Sequence, residues 1–558
     1  MPELTAHLVP GALMLGLGVA TGFCALLLLR RAGLRFTWAL VPVPLACLLW
    51  LIDWRPGLVL FAGIATTVGA GIYWHLEDTE RGGEEAAKAR EALGVARWLW
   101  ALWQRRSLRE RRLVKGRIAL GTTRRGGVCW VPFGASHGVH SLIVGATGGG
   151  KTVTQAAIAQ AHVLAGLPAI VVDPKGDDHL RQVLIDAAQR SGMPFREWSP
   201  TGCAVYNPFE RGSPTEIADK AIAGQRWSEE HYREASRRLL GKVLSTLRAA
   251  GEWPPTMSQV VRHMDPERLD ALAARVGGQV GEDVAEYVDG LSARARSDLG
   301  GGRDRLAVLV EGELGPRLDP SLSGAEPAER INLGEALAAG EVVYFHIDAD
   351  RYPAASQLLA AALVTDLVAL VAELQGGAAR GLLVIDEFAA LAAREVKRLF
   401  ARARGAGLSL ALGTQSLADL RGTDPDDASD TFTEQVFTNV SYLVVHREAD
   451  PDSAERLAGV AGTVPSWSMT RKVRPGLWQP REGTKTRERE YVIGPDQFKR
   501  LRPGRAVVIQ PTADPPAEVV KVFEARHLAG GAFGGEVHHL GPWGAVIACL
   551  HRLCGWPR

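Results

Sequence analysis

The chain has 558 residues, 46% of them hydrophobic and 23% charged, with a net charge of +2. That length exceeds what one core supports and implies two to four units. So balanced a charge excludes nucleic-acid binding through overall basic character, which leaves local charge to carry any such role. The six cysteines (Cys24, Cys47, Cys129, Cys203, Cys549 and Cys554) are scattered, two of them in apolar runs, so no disulfide framework is implied.

In chain order, three uncharged runs come first: Leu8 to Leu29, Phe36 to Ile52 and Pro56 to Trp74, of 22, 17 and 19 residues. The first is long enough to cross a bilayer as a helix, and no basic region precedes it as a cleaved signal would require. Arg30, Arg31 and Arg35 follow it at once. Basic residues mark the cytoplasmic side, so three crossings put the N-terminus outside and everything after Trp74 in the cytoplasm. The second and third runs are short, so two crossings, with the N-terminus inside, stay open. Residues 1–76 are therefore read as a multi-pass anchor in the cell (inner) membrane.

Residues 77–127 read as a basic juxtamembrane linker. Glu84 to Gln104 has helical character with Trp98, Trp100 and Trp103, and an arginine-rich run follows from Arg105 to Arg112. Tryptophans suit a lipid interface, and the arginines suit anionic headgroups or a nucleic-acid backbone. A solvated linker helix is the alternative.

From residue 128 onward, apolar strand candidates alternate with helical stretches: Leu142–Val144, Ala169–Val172, Val342–Ile347, Leu382–Ile385, Leu408–Leu412, Tyr442–Val445 and Ala506–Ile509. This alternation predicts a mainly parallel α/β sheet covered on both faces. After the first candidate comes Gly145-Ala146-Thr147-Gly148-Gly149-Gly150-Lys151-Thr152, a G-x-x-x-x-G-K-T loop between a strand and a helix. Its glycines let successive N–H groups curl around an anion, and the helix N-terminus adds its positive end. Lys151 can reach the β- and γ-phosphates of ATP, and the Thr152 hydroxyl can hold Mg²⁺. The next candidate strand ends in Asp173-Pro174-Lys175-Gly176-Asp177, a proline turn with clustered charge that either lies near the phosphates or caps the following helix.

Lys151 and Asp386 stand 235 positions apart, more than a compact nucleotide-binding core needs. Residues 213–319 account for most of the excess. They carry helical runs at Glu229–Ala249, Ser258–Val276 and Glu282–Asp298, and are read as an inserted all-α domain within the ATPase domain formed by 128–212 and 320–527. The strand Leu382–Ile385 ends in Asp386-Glu387. Asp386 is placed to hold Mg²⁺, and Glu387 to orient and deprotonate an attacking water. Adjacent Asp and Glu point to a hydrolase rather than a kinase. The strand Leu408–Leu412 leads into Gly413-Thr414-Gln415-Ser416, where Gln415 can sense the γ-phosphate. The peripheral tail 528–558 is rich in Gly, His and Trp. Its Cys549, Cys554, His538, His539 and His551 match no standard zinc spacing.

In this order the chain resembles the conjugative coupling ATPases of type IV secretion, the TraG/TraD-like group related to the FtsK and HerA DNA-pumping ATPases. The resemblance rests on the membrane runs, His140 through Thr152, Val172 to Asp177, and Tyr206-Asn207-Pro208-Phe209. It continues through the helical insert, Val384 to Phe388, Arg404 to Ser416, Arg489 to Ile493 and Leu501 to Val508. It implies a RecA-like P-loop domain, ATP and Mg²⁺ as cofactors, and a homohexameric ring. In such a ring an arginine lent by one subunit completes its neighbour's site. Arg404 matches that position, with Arg402 as the nearby competitor. The implied partners are DNA, single-stranded and held by its backbone, together with the relaxase and relaxosome proteins, the components of the secretion channel and the membrane. The implied function is recruitment and translocation of DNA. The alternatives are a coupling ATPase for protein effectors, or an ATP-binding receptor with little turnover. The tail lacks an obvious acidic extension, which puts in question any recruitment that depends on one.

Overall fold

The computed structural model describes residues 2–81, 113–420, 431–471 and 483–525, apart from positions 33, 115, 125–126, 135–136, 224, 226, 228, 325, 327–328 and 377–378. The tryptophans and arginines expected over 84–112, and the His- and Cys-containing tail, lie outside the described residues.

The three N-terminal runs form helix α1 (Pro2–Arg31), then a 3₁₀ turn (Phe36–Leu40) leading into α2 (Val43–Ile52), then α3 (Trp54–Arg81). Their contacts fix their directions. Thr67 donates to the Gly22 carbonyl at 2.8 Å, a Cβ on Gly18 would run into Val59 and Ala62, and Arg30 stacks 5.3 Å from the Trp74 ring centroid. Rising numbers meet rising numbers, so α1 and α3 run parallel. The segment between them returns: Phe36 lies 6.3 Å from His75, while Trp50 lies 5.8 Å from Phe61. The first and third of these runs, Ala12–Arg31 and Trp54–His75, are long and apolar enough to cross a membrane, and Phe36–Ile52 is a shorter apolar helix between them. Small residues at the α1–α3 contact let the backbones approach, as is usual between helices in lipid. The end of these helices carrying Arg30, Arg31 and Arg35 is the end from which α3 leads to the rest of the chain.

The remaining strands are β1 (Leu113–Val114), β2 (Arg117–Thr123), β3 (Val128–Pro132), β4 (His140–Val144), β5 (Ala169–Asp173), β6 (Phe195–Trp198), β7 (Val342–His346), β8 (Gly381–Ile385), β9 (Leu408–Thr414), β10 (Tyr442–Val445), β11 (Thr463–Arg471), β12 (Gly483–Tyr491), β13 (Arg505–Ile509) and β14 (Ala517–Val522). All but β11 and β12, which pair with each other, join one 12-stranded sheet. Its parallel part runs β10-β4-β9-β8-β5-β7-β6, and β13, β14 and β2 extend it antiparallel from β10. All seven expected strands form. The sheet is mainly parallel, as expected, with the strand at Ala506–Ile509 antiparallel to β10. One expectation needs correction. The linker expected over 77–127 ends early, because Ile118, Ala119 and Leu120 of β2 are buried in the sheet.

Alternation along each parallel strand divides the core into two layers. Ile143, Val171, Val384, Ala411 and Val444 face helix α4 (Lys151–Leu164) and helix α5 (Asp178–Ser191). Leu142, Val144, Val172, Ile385 and Leu412 face the other layer, which contains the helix Pro353–Glu373. That helix is apolar enough to span a bilayer, but 61% of its window is buried inside the fold. It is a core helix.

Between β6 and β7 every described regular element is helical. The expected run Ser258–Val276 splits where Asp265 caps a new helix that begins at Pro266, and Glu282–Asp298 breaks at Gly290 to Ser292. A bridge between Val205 and Arg330 closes the neck of this excursion. Beside it, Lys220 donates to Asp366 at 2.6 Å and to the Arg211 carbonyl at 2.6 Å, and the Tyr206 hydroxyl donates to Asp366 at 2.9 Å. Both ends of the ion pair are buried, so the first helix of the excursion is tied to the core helix by a pair with no access to water.

Losing one partner would leave the other charge buried and uncompensated. Lys220→Met should therefore cost about 3–5 kcal/mol, read by urea denaturation, and adding Asp366→Leu should recover most of it. A second outcome concerns pH. His140, His162 and His446 are buried, and that desolvation lowers each to about 4. Folded, each stays neutral until about pH 4, whereas unfolded it takes a proton below about 6.5. Falling pH therefore favours the unfolded chain across that window, with about three extra protons bound on unfolding. His162→Gln should remove about one of them, measured from the pH dependence of the denaturation midpoint.

Candidate nucleotide site at the carboxyl edge of the sheet

Strand register explains why distant residues meet. Val445 pairs with Val144, Val144 with Thr414, Ile385 with Leu412, and Val172 with Ile385. Asp173 and Asp386 therefore follow their strands in one row beside Gly413, and Gly145, Gln415 and His446 follow theirs in a second row two residues further along the same edge. Ligands bind at this carboxyl edge in open α/β sheets.

The glycine loop runs from β4 into α4. Gly148 and Gly150 have φ of 76° and 108°, in the left-handed region that favours glycine. Gly145, Ala146, Thr147, Gly148, Gly149 and Gly150 wrap in front of Lys151, and Thr152 lies in the first turn of α4. His446 wedges behind the loop. A Cβ on Gly145 or Gly150 would come within 2.6 and 3.2 Å of His446 atoms, and the imidazole Nε2 lies 2.9 Å from the Thr154 hydroxyl.

Lys151 is buried, with its ammonium 2.9 Å from Asp386 and 3.4 Å from Glu387. Asp386 also accepts from Gln155 at 3.0 Å and from the Glu387 backbone N–H at 3.0 Å. Glu387 takes a left-handed backbone with φ of 48°. Its carboxylate accepts from Lys175 at 2.6 Å and, with both oxygens, from Gln415 at 2.9 Å. Burial alone would raise the Glu387 pKa. The Lys175 hydrogen bond, the Lys151 charge and the Gln415 bond outweigh it and hold the carboxyl below its ordinary range. Burial would likewise lower Lys175, but the Glu387 bond reverses the sign. The Gly-Thr-Gln-Ser turn is itself held: Ser416 donates through its backbone to Asp419 at 2.9 Å and through its hydroxyl to Glu448 at 3.1 Å.

The structure thus brings together Lys151, Asp386, Glu387 and Gln415, with Thr152 one residue along the helix. It does not bring Arg404 to them. Arg404 precedes β9, at the amino edge of the sheet, where it is exposed and donates to the Asn439 carbonyl. A strand's length of about 20 Å separates it from the carboxyl edge of its own sheet. Three residues around the site are new. Gln155 lies four positions after Lys151, one helical turn on, which is a spacing readable in the sequence. Lys175 sits in the charged proline turn, which left its target undecided. His446 carried no signal, because only the pairing of β10 with β4 puts it behind the loop.

A glycine loop on one strand and an Asp-Glu pair two strands away, with a polar turn on the strand between, define a P-loop fold of the RecA-like kind. The model for the type IV secretion-system coupling protein DNA-binding domain matches residues 128–522. The chain belongs to that family of coupling proteins. No curated protein matches it by sequence. Among solved structures, it is similar to the unbound monoclinic form of the bacterial conjugative coupling protein TrwBdeltaN70. The identity is 20%, with 76% of this chain and 91% of that one covered at a TM-score of 0.54. The plasmid coupling protein TrwB in complex with the non-hydrolysable ATP analogue ADPNP is 21% identical, covering 72% and 89% at a TM-score of 0.52. TrwB in complex with ADP and Mg²⁺ is 20% identical, covering 70% and 86% at 0.50. These likenesses show the fold.

Gly413 is the tightest position in the row, since a Cβ there would collide with the Asp386 carboxylate and the Gln155 amide. Gly413→Ala should push Asp386 off Lys151 and weaken binding of a fluorescent ATP analogue by about tenfold or more, while circular dichroism stays unchanged.

Proposed function

We propose that the chain is a membrane-anchored ATPase that recruits DNA with its bound relaxase and drives it into a type IV secretion channel. The observation that carries this reading is the convergence of Lys151, Asp386, Glu387 and Gln415 at one sheet edge, in a coupling protein with long apolar helices near its N-terminus. The anchor lies in the inner membrane, and its arginine-bearing end and the P-loop fold share the cytoplasmic side.

The donor set fits Mg·ATP. Left-handed Gly148 and Gly150 let the loop curl so that its backbone can approach phosphate, Lys151 is the buried cation beside it, and Thr152 and Asp386 are hard oxygen ligands. Among the described residues no group of three His, Cys, Asp or Glu side chains converges. Mg²⁺ does not require one, since it takes one or two protein oxygens and completes its shell with water and phosphate. Bound Mg²⁺ would neutralise charge on the β- and γ-phosphate oxygens. Glu387 would orient the attacking water and take its proton. Gln415, hydrogen-bonded to that same carboxylate, would pass a change there through Ser416 to Glu448. Arg404 faces away from its own site at the opposite edge, where a neighbouring subunit in a homohexameric ring could receive it. DNA would be gripped by its backbone, in a salt-dependent way.

The test is ATP hydrolysis by the full chain in lipid, with and without single- or double-stranded DNA, across salt concentrations. DNA stimulation that fades with salt is expected. Hydrolysis indifferent to DNA would turn the cargo towards protein effectors, and absence of hydrolysis would leave an ATP-binding receptor. Arg404→Ala should lower kcat by about 10³–10⁵. Mixed with Lys151→Ala subunits, it should recover activity at the roughly one-quarter of interfaces where an intact lysine meets an intact arginine. Mixtures as inactive as their parents would exclude a site shared between subunits.

A further inference from the structure

We propose that Lys175 is a positioning residue for the water-activating carboxylate, aimed at Glu387 by a turn that the ends of β5 and β7 clamp. This inference rests on the ATPase reading above and deepens it. The two carboxylates of the site have separate lysines. Lys151 sits 2.9 Å from Asp386 and only 3.4 Å from Glu387, whereas Lys175 sits 2.6 Å from Glu387. Strand β8 lies between β5 and β9, so Glu387 is bracketed by Lys175 from one neighbour and Gln415 from the other.

The turn carrying Lys175 is built for rigidity. The buried Asp173 carboxylate accepts from the backbone N–H groups of Lys175 at 2.9 Å, Gly176 at 3.0 Å and Asp177 at 2.7 Å, and from the Tyr344 hydroxyl at 2.7 Å. Ile347 donates to the Asp173 carbonyl at 3.0 Å, and Ala349 to the Pro174 carbonyl at 2.8 Å. Gly176 has φ of 73°, and the His346 ring fills the space a side chain there would need. Asp173 is consumed by this work and has no oxygen to spare for a metal. The lysine so aimed has a side chain 43% exposed, and ion pairs that exposed add little to folding. Its effect therefore falls on Glu387, whose carboxylate it holds from the side opposite Gln415. A carboxylate that must meet a water within hydrogen-bond reach gains from being held on both sides.

The competing role is direct contact between Lys175 and phosphate, and a double-mutant cycle separates the two. Lys175→Met and Lys175→Arg are made in the full chain, with Glu387 intact and in a Glu387→Gln background. ATP turnover and affinity for a fluorescent ATP analogue are measured for each, with melting temperature as the folding control. With Glu387 intact, Lys175→Met should lower kcat by about 10- to 100-fold, leaving KM and analogue affinity within about twofold. Lys175→Arg should keep most of the rate. In the Glu387→Gln background, Lys175→Met should cost less than about twofold more. Equal losses in both backgrounds, an arginine no better than methionine, or analogue affinity reduced by about tenfold or more would overturn the assignment. A wild-type chain that hydrolyses no ATP would instead remove the ATPase reading, and this one with it.

Discussion

The ammonium of Lys151 and the carboxylate of Asp386 meet inside the protein 2.9 Å apart, and the rest of the site is arranged around that contact. Neither group is stable there alone, since a buried charge without its partner is strongly destabilising. The contact requires β4 and β8 to stand two strands apart, with β9 between them and β8 ending level with Leu142 of β4. Gly413 on β9 is what lets Asp386 and Gln155 occupy the gap. Once those strands are in register, Gln415 and the Asp173 turn fall on either side of Glu387, and His446 falls behind the glycine loop.

The same logic of buried pairing operates at the neck of the helical excursion. Lys220 and Asp366 close a dry ion pair that Tyr206 completes, and it joins the excursion to the helix underlying the sheet. Such a pair adds little net stability compared with apolar packing, but it tolerates few alternative arrangements. In the N-terminal helices, Gly18, Gly22 and Gly63 permit close parallel packing of α1 and α3. The return segment Phe36–Ile52 is short, with a 3₁₀ turn stretching it along the length of its neighbours. That geometry sets Arg30, Arg31 and Arg35 at the end of these helices from which the P-loop fold follows.

Much of the architecture was legible from patterning, because buried parallel strands are written as short apolar runs ending in polar turns. All seven such runs became strands, and the glycine loop and the Asp-Glu pair stand where their flanking strands place them. Strands at the antiparallel edge were harder to read. Strand β2 sits in a charged stretch whose composition suggested a linker, and Ile118 to Leu120 are buried where it pairs with β3 and joins the helix-facing core layer. Helix ends inside the excursion were missed at Asp265-Pro266 and at Gly290, where local stop signals were outweighed by the continuing apolar period. The helix Pro353–Glu373 shows the reverse case, since composition alone cannot distinguish a sheet-covering helix from a membrane span.

What the sequence by itself determined is local: which segments are strands, which loop can wrap phosphate, which carboxylates stand at a strand end, and which runs are apolar enough for lipid. Chain-neighbour chemistry and periodicity suffice for these. Strand order, register and the directions of the N-terminal apolar helices were decided only by the tertiary structure. They brought Lys175 to Glu387, put His446 behind the loop, and set Arg404 at the far edge from its own Lys151. Those outcomes depend on pairings between segments separated by up to several hundred residues, which no local pattern encodes.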